Sequence, residues 1–344
     1  MEPPLFCCCQ FIDRHGRTAH LLDLSFADRY SSICCAPECL HELAADLDDR
    51  LRLPQYNGAI YLGIEGALPM ILLPILGAVA ARGPLHTAML LMLLPAVLSQ
   101  LHLRALRRRH RSRFFVSWCG ASVVYAHAAF TLRVGEHIPF AFWLGTTLGH
   151  VAAGLCAAAA REPPPEDACS SSAGECGVAS ELRPCKADGE LEGGSAAVPD
   201  DRPVEGDPRW DRGYCPLCRH SLRGYDHHCV WLDMCVGAHN RGLFLRGLLL
   251  LLATVAVEVV LCARRAEHVG GVQRRWSLEA ALTSYGLLGA IAVASLLAHQ
   301  GWLVGHDVTA HQARLLAKHG RELPPWIGVG PWLCKCCALL RGTV

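Results

Sequence analysis

The chain has 344 residues, of which 52% are hydrophobic and only 18% are charged, whereas soluble domains carry about a quarter charged residues. Its formal net charge of +1 gives no reason to expect a nucleic acid as a partner. The N-terminal residues lack the basic segment and apolar core of a signal peptide, so we expect the 19 cysteines to be reduced thiols rather than a secreted disulfide scaffold.

The first 160 residues change from polar to apolar. Residues 1–58 have mixed charge and are predicted to form a cytosolic N-terminal region. Four apolar segments follow within 59–160, and each is long enough to cross roughly 30 Å of hydrocarbon as a helix. The segments cover residues 59–81, 85–103, 114–132 and 138–160.

A long polar insert separates these segments from the rest of the chain. Residues 161–209 are rich in Pro, Gly, Ser and acids, which predicts a disordered linker. Residues 210–242 hold a dense Cys/His pattern. Two more apolar segments, 243–263 and 278–304, lie within 243–304, and residues 305–344 form a predicted cytosolic tail.

Short loops indicate how the segments are oriented. Loop 104–113 contains six arginines, which predicts that it lies on the cytosolic side, together with both termini and the Cys/His insert. Loop 264–276 contains four arginines and would then be luminal, against the usual bias. Inside the segments, we expect the polar residues to face neighbouring helices and pair there. These residues are Glu65, His127, His150 and Glu258.

The stretch CPLCRHSLRGYDHHCVWLDMCVGAHN, residues 215–240, contains four cysteines and four histidines. Zinc prefers thiolates and imidazoles in a tetrahedron, and the close pair Cys215 and Cys218 supplies half of one. Spacing alone leaves the other two ligands open. The candidates are His220, His227, His228, Cys229, Cys235 and His239.

Within this stretch, an acid, two imidazoles and a thiol follow one another as Asp226, His227, His228 and Cys229. An imidazole can take the proton of a thiol whose pKa is ordinarily near 8.5, and a carboxylate can orient that imidazole. Neighbouring side chains diverge in a strand, so we expect an irregular loop held by metal. One histidine would then bind zinc and the other would serve the thiol.

The DHHC run, followed by Trp231, Cys235-Val236-Gly237, Asn240 and Phe244, resembles the DHHC protein S-acyltransferases, or palmitoyltransferases. With the six segments, this resemblance implies an all-α multi-pass membrane protein of about six transmembrane helices. A small cytosolic zinc-binding cysteine-rich domain would occupy the insert.

The resemblance also implies a role for each site residue. Cys229 would be the acyl-accepting nucleophile, His227 its general base and Asp226 the residue that orients the base. One zinc ion would be held by a Cys3His set, whose members are Cys215, Cys218, His228 and Cys235.

Several positions depart from the family pattern. The family usually binds a second zinc, but all four of its ligand positions are changed here, so we predict one zinc. The family's TTxE motif after the last span retains Thr309 alone. The changed ligand positions are Asp201, Val204, Tyr214 and Ser221.

The implied reaction moves a fatty acyl chain, palmitoyl above all, from acyl-CoA to Cys229 and then to a cysteine of a substrate protein at the cytosolic face. The lipid bilayer would surround the spans. An endomembrane location, Golgi or endoplasmic reticulum rather than plasma membrane, is expected.

Two other hypotheses about the function stay open. A catalytically inactive, membrane-anchored zinc adaptor would keep the zinc ligands but would not need Asp226, His227 and Cys229. A six-span transporter with a regulatory zinc insert would need paired polar residues at the midplane. The intact DHHC run favours the acyltransferase over both. Several cysteines at predicted cytosolic positions could equally be acylated themselves or be inert reduced thiols. They are Cys7–Cys9, Cys34, Cys35, Cys334, Cys336 and Cys337.

Overall fold

The computed structural model describes residues 7–23, 37–54, 58–108, 112–161, 212–273 and 278–341. Nearly all of the predicted linker, residues 162–209, therefore lies outside the described residues. The same holds for Cys34, Cys35 and most of the arginines that follow Arg108 in the basic loop.

Short strands and a helix make up the described N-terminal region. A turn at Asp13 closes the first hairpin: its carboxylate accepts hydrogen bonds from the backbone N–H groups of His15 and Arg17 at 2.9 and 2.8 Å. Gly16 takes φ +76° there, a left-handed conformation that suits glycine. The elements are β1 (Gln10–Ile12) with antiparallel β2 (Thr18–His20), α1 (Pro37–Arg50), and β3 (Arg52–Leu53) with antiparallel β4 (Ile60–Tyr61).

Among the described residues, six helices are long and apolar enough to cross a membrane. Large apolar side chains stay exposed on them, with Leu132 at 78% and Met92 at 77%, as lipid-facing residues would be. The predicted class, a multi-pass helical membrane protein, is confirmed. The helices are α2 (Gly63–Ala80), α3 (Pro84–Arg108), α4 (Phe114–Arg133), α5 (Phe140–Ala159), α6 (Arg241–Gln273) and α7 (Leu278–Gly305).

The polar insert and the tail add smaller elements. Two pairs of short strands lie in the Cys/His region, and two helices follow the last span. They are β5 (Arg212–Cys215) with β6 (His220–Arg223), β7 (His227–Cys229) with β8 (Met234–Val236), α8 (Ala310–Lys318) and α9 (Val329–Arg341).

The chain divides into two compact units that cut across the long helices. The first unit holds most of the spanning helices, and the second holds most of the Cys/His region and the tail. The first unit comprises Met1–Leu155, Cys229–Met234 and Gly247–Ser295; the second comprises Cys156–His228, Cys235–Arg246 and Leu296–Val344.

Polar contacts and close packing join the helices of the first unit. Ser122 Oγ and Tyr285 OH share a hydrogen bond of 2.8 Å, and Tyr125 OH donates to the carbonyl of Met70 at 2.9 Å. Helices α5 and α6 lie close together at Gly149, where a Cβ atom would lie 2.2 Å from Thr254 Oγ1. Glycine is therefore required at this crossing, as at other small-residue contacts between membrane helices.

We predict that Gly149→Leu destabilises the protein by about 1–3 kcal/mol, because the new side chain must push α5 away from Thr254. The measurement is thermal unfolding of the detergent-solubilised chain. Gly154→Leu on the same helix is the control, since a Cβ there meets nothing within 4 Å. Equal unfolding temperatures for the two variants would contradict the predicted contact.

Candidate active site and metal centre

All four predicted zinc ligands come together in the second unit. His228 Nδ1 lies 3.4 Å from Cys218 Sγ, 3.7 Å from Cys235 Sγ and 3.8 Å from Cys215 Sγ. The four donor atoms all lie within 4.8 Å of one another. Tetrahedral zinc bonds would separate sulfur from nitrogen by about 3.6 Å, so this set fits the ion in both chemistry and spacing.

Local backbone structure explains how these ligands converge. Hairpin β5–β6 pairs Cys215 with His220, and the tight turn between them brings the backbone N–H of Cys218 to 3.4 Å from Cys215 Sγ. Arg219 takes φ +57° in this turn. Further along, Gly237 lets the chain pass close to the hairpin, since a Cβ there would lie 2.4 Å from Leu222 Cδ2.

The thiols of this cluster influence one another electrostatically. A hydrogen bond from Cys235, helped by His228 and opposed by burial, lowers the pKa of Cys215 to about 3. The same bond raises the pKa of Cys235 well above its ordinary value, because the two sulfurs share one proton and the negative charge of Cys215 disfavours a second thiolate. A divalent cation would remove that penalty by stabilising all the thiolates together.

The structure indicates which downstream residues complete the metal-ligating set, a question that the sequence spacing left open. Of the six downstream candidates, only His228 and Cys235 join the Cys215 and Cys218 pair in a metal-ligating group of the described residues. The neighbouring His227 contacts a carboxylate instead.

That carboxylate belongs to Asp226, whose side chain is 0% exposed. His227 Nδ1 donates a hydrogen bond to Asp226 Oδ2 at 2.6 Å, and Gln300 Nε2 donates to the same oxygen at 2.9 Å. The backbone N–H of Ala310 donates to Oδ1 at 2.7 Å, and the guanidinium of Arg241 lies 3.9 Å away. A buried carboxylate is stable only with such a complete set of partners.

These partners keep Asp226 ionised. Burial alone would raise the pKa of Asp226, but the hydrogen bond from His227 and the charge of Arg241 hold it well below its ordinary value. Ala310 adds the N-terminus of α8, where helix N–H groups favour negative charge. A capping box formed by Thr309 and Gln312 sets the start of this helix.

Two residues of the Asp226 network carry no signal in the sequence. Gln300 lies in an apolar span and is 2% exposed, and it also accepts a hydrogen bond from Arg241 Nη2 at 3.1 Å. Arg314 Nη2 donates to the backbone carbonyl of Asp226 at 3.2 Å. By contrast, the Thr-x-x-Gln spacing from Thr309 could have indicated that a helix begins there.

The last three residues of the DHHC run, His227–Cys229, form strand β7, so the irregular loop expected from the sequence is wrong. The backbone N–H of Asp226 donates to the carbonyl of Val236 at 2.9 Å, which holds the segment extended beside β8. Side chains alternate along a strand, so His227 and Cys229 share one face and His228 takes the other. Alternation alone thus separates the two histidines.

Neighbouring side chains hold this segment in place. The ring of Phe244, 2% exposed, meets the ring of His227 edge-on at 5.6 Å between centroids. Asn240 is buried and donates to the carbonyls of Ala160 and Cys235, each at 2.8 Å. Cys229 is itself buried, at 6% exposed.

Of the four positions where the family has its other zinc ligands, two are described. Tyr214 and Ser221 are directly opposed in the register of β5 and β6, so a strand pair stands at this place. Asp201 and Val204 lie outside the described residues. The group that holds Cys215 is the one cysteine-containing metal-ligating set found in the described part of the chain.

The described residues thus combine six helices long enough to span a membrane with a Cys3His set and a hydrogen-bonded carboxylate–imidazole pair. Residues 211–315 match the family model described as DHHC palmitoyltransferase. The chain is thus similar to the DHHC-type palmitoyltransferases, which are protein S-acyltransferases.

Curated relatives extend the similarity beyond that domain. Mouse palmitoyltransferase ZDHHC23 is 28% identical over 295 residues, which cover 74% of this chain and 69% of the relative. The human protein of that name is 26% identical over 308 residues, covering 76% and 75%. Palmitoyltransferase erf2 of Emericella nidulans is 33% identical over 122 residues, covering 32% and 20%.

We predict that Cys218→Ser abolishes metal binding at the Cys3His set, because an alcohol replaces one of its three thiolates. Cobalt loading of the purified protein should give sulfur-to-cobalt charge-transfer absorption, and the variant should lose it. Cys156→Ser, which changes a cysteine outside the set, is the control and should keep the bands. Retention of the bands in Cys218→Ser would show that other cysteines bind the metal.

Proposed function

We propose that this protein transfers a palmitoyl chain from palmitoyl-CoA to cysteines of substrate proteins through an acyl-enzyme at Cys229. The observation that carries the proposal is the hydrogen bond between His227 and the buried Asp226, with Nδ1 bonded to the carboxylate at 2.6 Å. This bond leaves Nε2 of His227 as the nitrogen that can exchange a proton. Strand alternation puts the Cys229 thiol on the same face of β7 as that imidazole.

In the first step, Nε2 of His227 takes the proton of the Cys229 thiol, and Asp226 stabilises the imidazolium that forms. The thiolate attacks the thioester carbonyl of palmitoyl-CoA. The bond from the carbonyl carbon to the coenzyme A sulfur breaks, and the leaving thiolate takes the proton from His227. Cys229 then carries the acyl chain as a thioester.

In the second step, a thiol of a substrate protein gives its proton to His227 and attacks the acyl thioester. The bond from the carbonyl carbon to Cys229 breaks, and the Cys229 sulfur regains a proton from His227. The enzyme returns to its starting state, as covalent catalysis in two half-reactions requires.

The Cys3His set serves this chemistry indirectly. Cys215, Cys218, His228 and Cys235 would hold zinc, whose role would be to fix the fold of the Cys/His region. His228 is one of these ligands and directly precedes Cys229, so the metal set restrains the backbone on which the nucleophile sits.

The membrane spans supply the apolar surroundings that the substrate needs. Each methylene of a sixteen-carbon chain favours burial over water by about 0.8 kcal/mol. We place the Cys/His region and both termini on the cytosolic face, in accord with the arginines of loop 104–113. An endomembrane, Golgi or endoplasmic reticulum, is the proposed location.

We predict that Cys229→Ser abolishes a hydroxylamine-labile label when full-length protein in detergent is incubated with labelled palmitoyl-CoA, because the thioester cannot form. Cys336→Ser, which changes a thiol on α9, is the matched control and should keep the label. Equal labelling of wild type and Cys229→Ser would place the acyl chain on other thiols. Absence of label from folded, zinc-loaded wild type would favour the inactive zinc adaptor.

We further predict that Asp226→Asn slows acyl-enzyme formation on the order of 10²- to 10⁴-fold, since the amide can neither stabilise an imidazolium nor fix its tautomer. Single-turnover labelling measures the rate. Asp307→Asn is the control, because the Asp307 side chain is 63% exposed and pairs with Lys335 rather than with any residue of the proposed site. Rates within a few-fold of wild type for Asp226→Asn would remove Asp226 from the mechanism.

A further inference from the structure

A second cluster of metal-ligating side chains lies inside the spanning helices of the first unit. It is formed by His127 of α4, His150 of α5 and Glu258 of α6, each well inside its helix. His127 Nδ1 lies 2.7 Å and His150 Nε2 3.0 Å from the same oxygen, Glu258 Oε1. None of these residues takes part in the acyl transfer proposed above.

The hydrogen bonds around His127 indicate what faces the carboxylate. Thr147 Oγ1 donates to the carbonyl of Trp143 at 2.9 Å, so it accepts from Nε2–H of His127 at 3.1 Å. A neutral imidazole protonated on Nε2 directs the lone pair of Nδ1 at Glu258 Oε1. Two lone pairs at 2.7 Å repel each other unless a cation or a second proton lies between them.

His150 also has a ring nitrogen whose hydrogen-bonding capacity is not satisfied. Its side chain is 9% exposed, and its Nδ1 is buried with no hydrogen-bond partner among the described residues. Glu258 is only 6% exposed. A buried polar atom without a partner in a native protein calls for an explanation, of which a bound ion is one. An ionised carboxylate deep in a span likewise requires a nearby positive charge.

We propose that His127, His150 and Glu258 bind a divalent transition-metal cation of the zinc class. Two imidazoles and one carboxylate are a donor set that such cations accept with an open fourth position, whereas calcium and magnesium prefer oxygen donors. The chain from His127 Nε2–H through Thr147 to Trp143 supplies the second hydrogen bond that metal-ligating histidines usually make.

The distances among the three donor atoms suit a zinc-class ion after small side-chain rotations. The three donor atoms lie within 4.8 Å of one another, and tetrahedral bonds of zinc to nitrogen and oxygen would separate them by about 3.4 Å. Side-chain rotations in the three helices can bring the atoms to that spacing. The ion would then join the consecutive helices α4 and α5 to α6, which follows the polar insert, at one point inside the membrane.

The test is the zinc content of the full chain in lipid nanodiscs, purified through a tag without histidines and exposed to Zn²⁺ alone. We expect Glu258→Gln and His150→Gln each to lose one equivalent of zinc relative to wild type. His86→Gln, which changes an exposed histidine at the start of α3, is the control and should lose none. Unchanged zinc content in folded Glu258→Gln and His150→Gln overturns the proposal and leaves the cluster held together by protons.

A measurement on the wild type alone covers the case in which the variants do not fold. X-ray absorption at the zinc edge reports the average ligands. If only the Cys3His set is loaded, sulfur supplies three quarters of them; if both sites are loaded, it supplies less than half. Sulfur at three quarters would contradict the proposal. The readout is independent of acyl transfer, so it separates failure of this site from failure of the enzyme.

Discussion

A buried negative charge at Asp226 is the constraint on which the second unit depends. An ionised carboxylate away from water is costly unless each oxygen is hydrogen-bonded and the charge is balanced. Arg241 and Gln300 come from two spanning helices, and Ala310 is the first residue of a third helix. The ends of α6 and α7 and the start of α8 are therefore fixed by the need to satisfy one side chain.

The same constraint positions the imidazole. Asp226 holds one ring nitrogen of His227, and Phe244 contacts the ring edge-on, so the ring has little freedom to rotate. The adjacent His228 is held separately by the thiols. The carboxylate network and the metal-ligating set thus meet in consecutive residues, and a defect in either would disturb the backbone that leads to Cys229, the proposed nucleophile.

Much of this arrangement could be predicted from the sequence. The six spans follow from segment length and apolar composition, and the helices begin and end within a few residues of the predicted bounds, except that α3 and α6 extend by several residues into polar flanks. The Cys215–Cys218 pair follows from metal-ligand spacing. Gln300 could not be found this way, because one amide in an apolar helix gives no sign of a partner 74 residues away. The strand at His227–Cys229 was also missed, since its extended form depends on a backbone bond to Val236.

Strand β7 makes the length of the DHHC run as important as its composition. Because the side chains of a strand alternate between two faces, the insertion or deletion of one residue reverses the facing of everything beyond it. A residue added between His227 and His228 would leave every functional group present, yet it would put the second imidazole on the wrong side for the thiols. Conservative replacements elsewhere in the Cys/His region do not change which face of the strand each side chain takes. This short segment therefore tolerates changes in length far less than many changes in residue type.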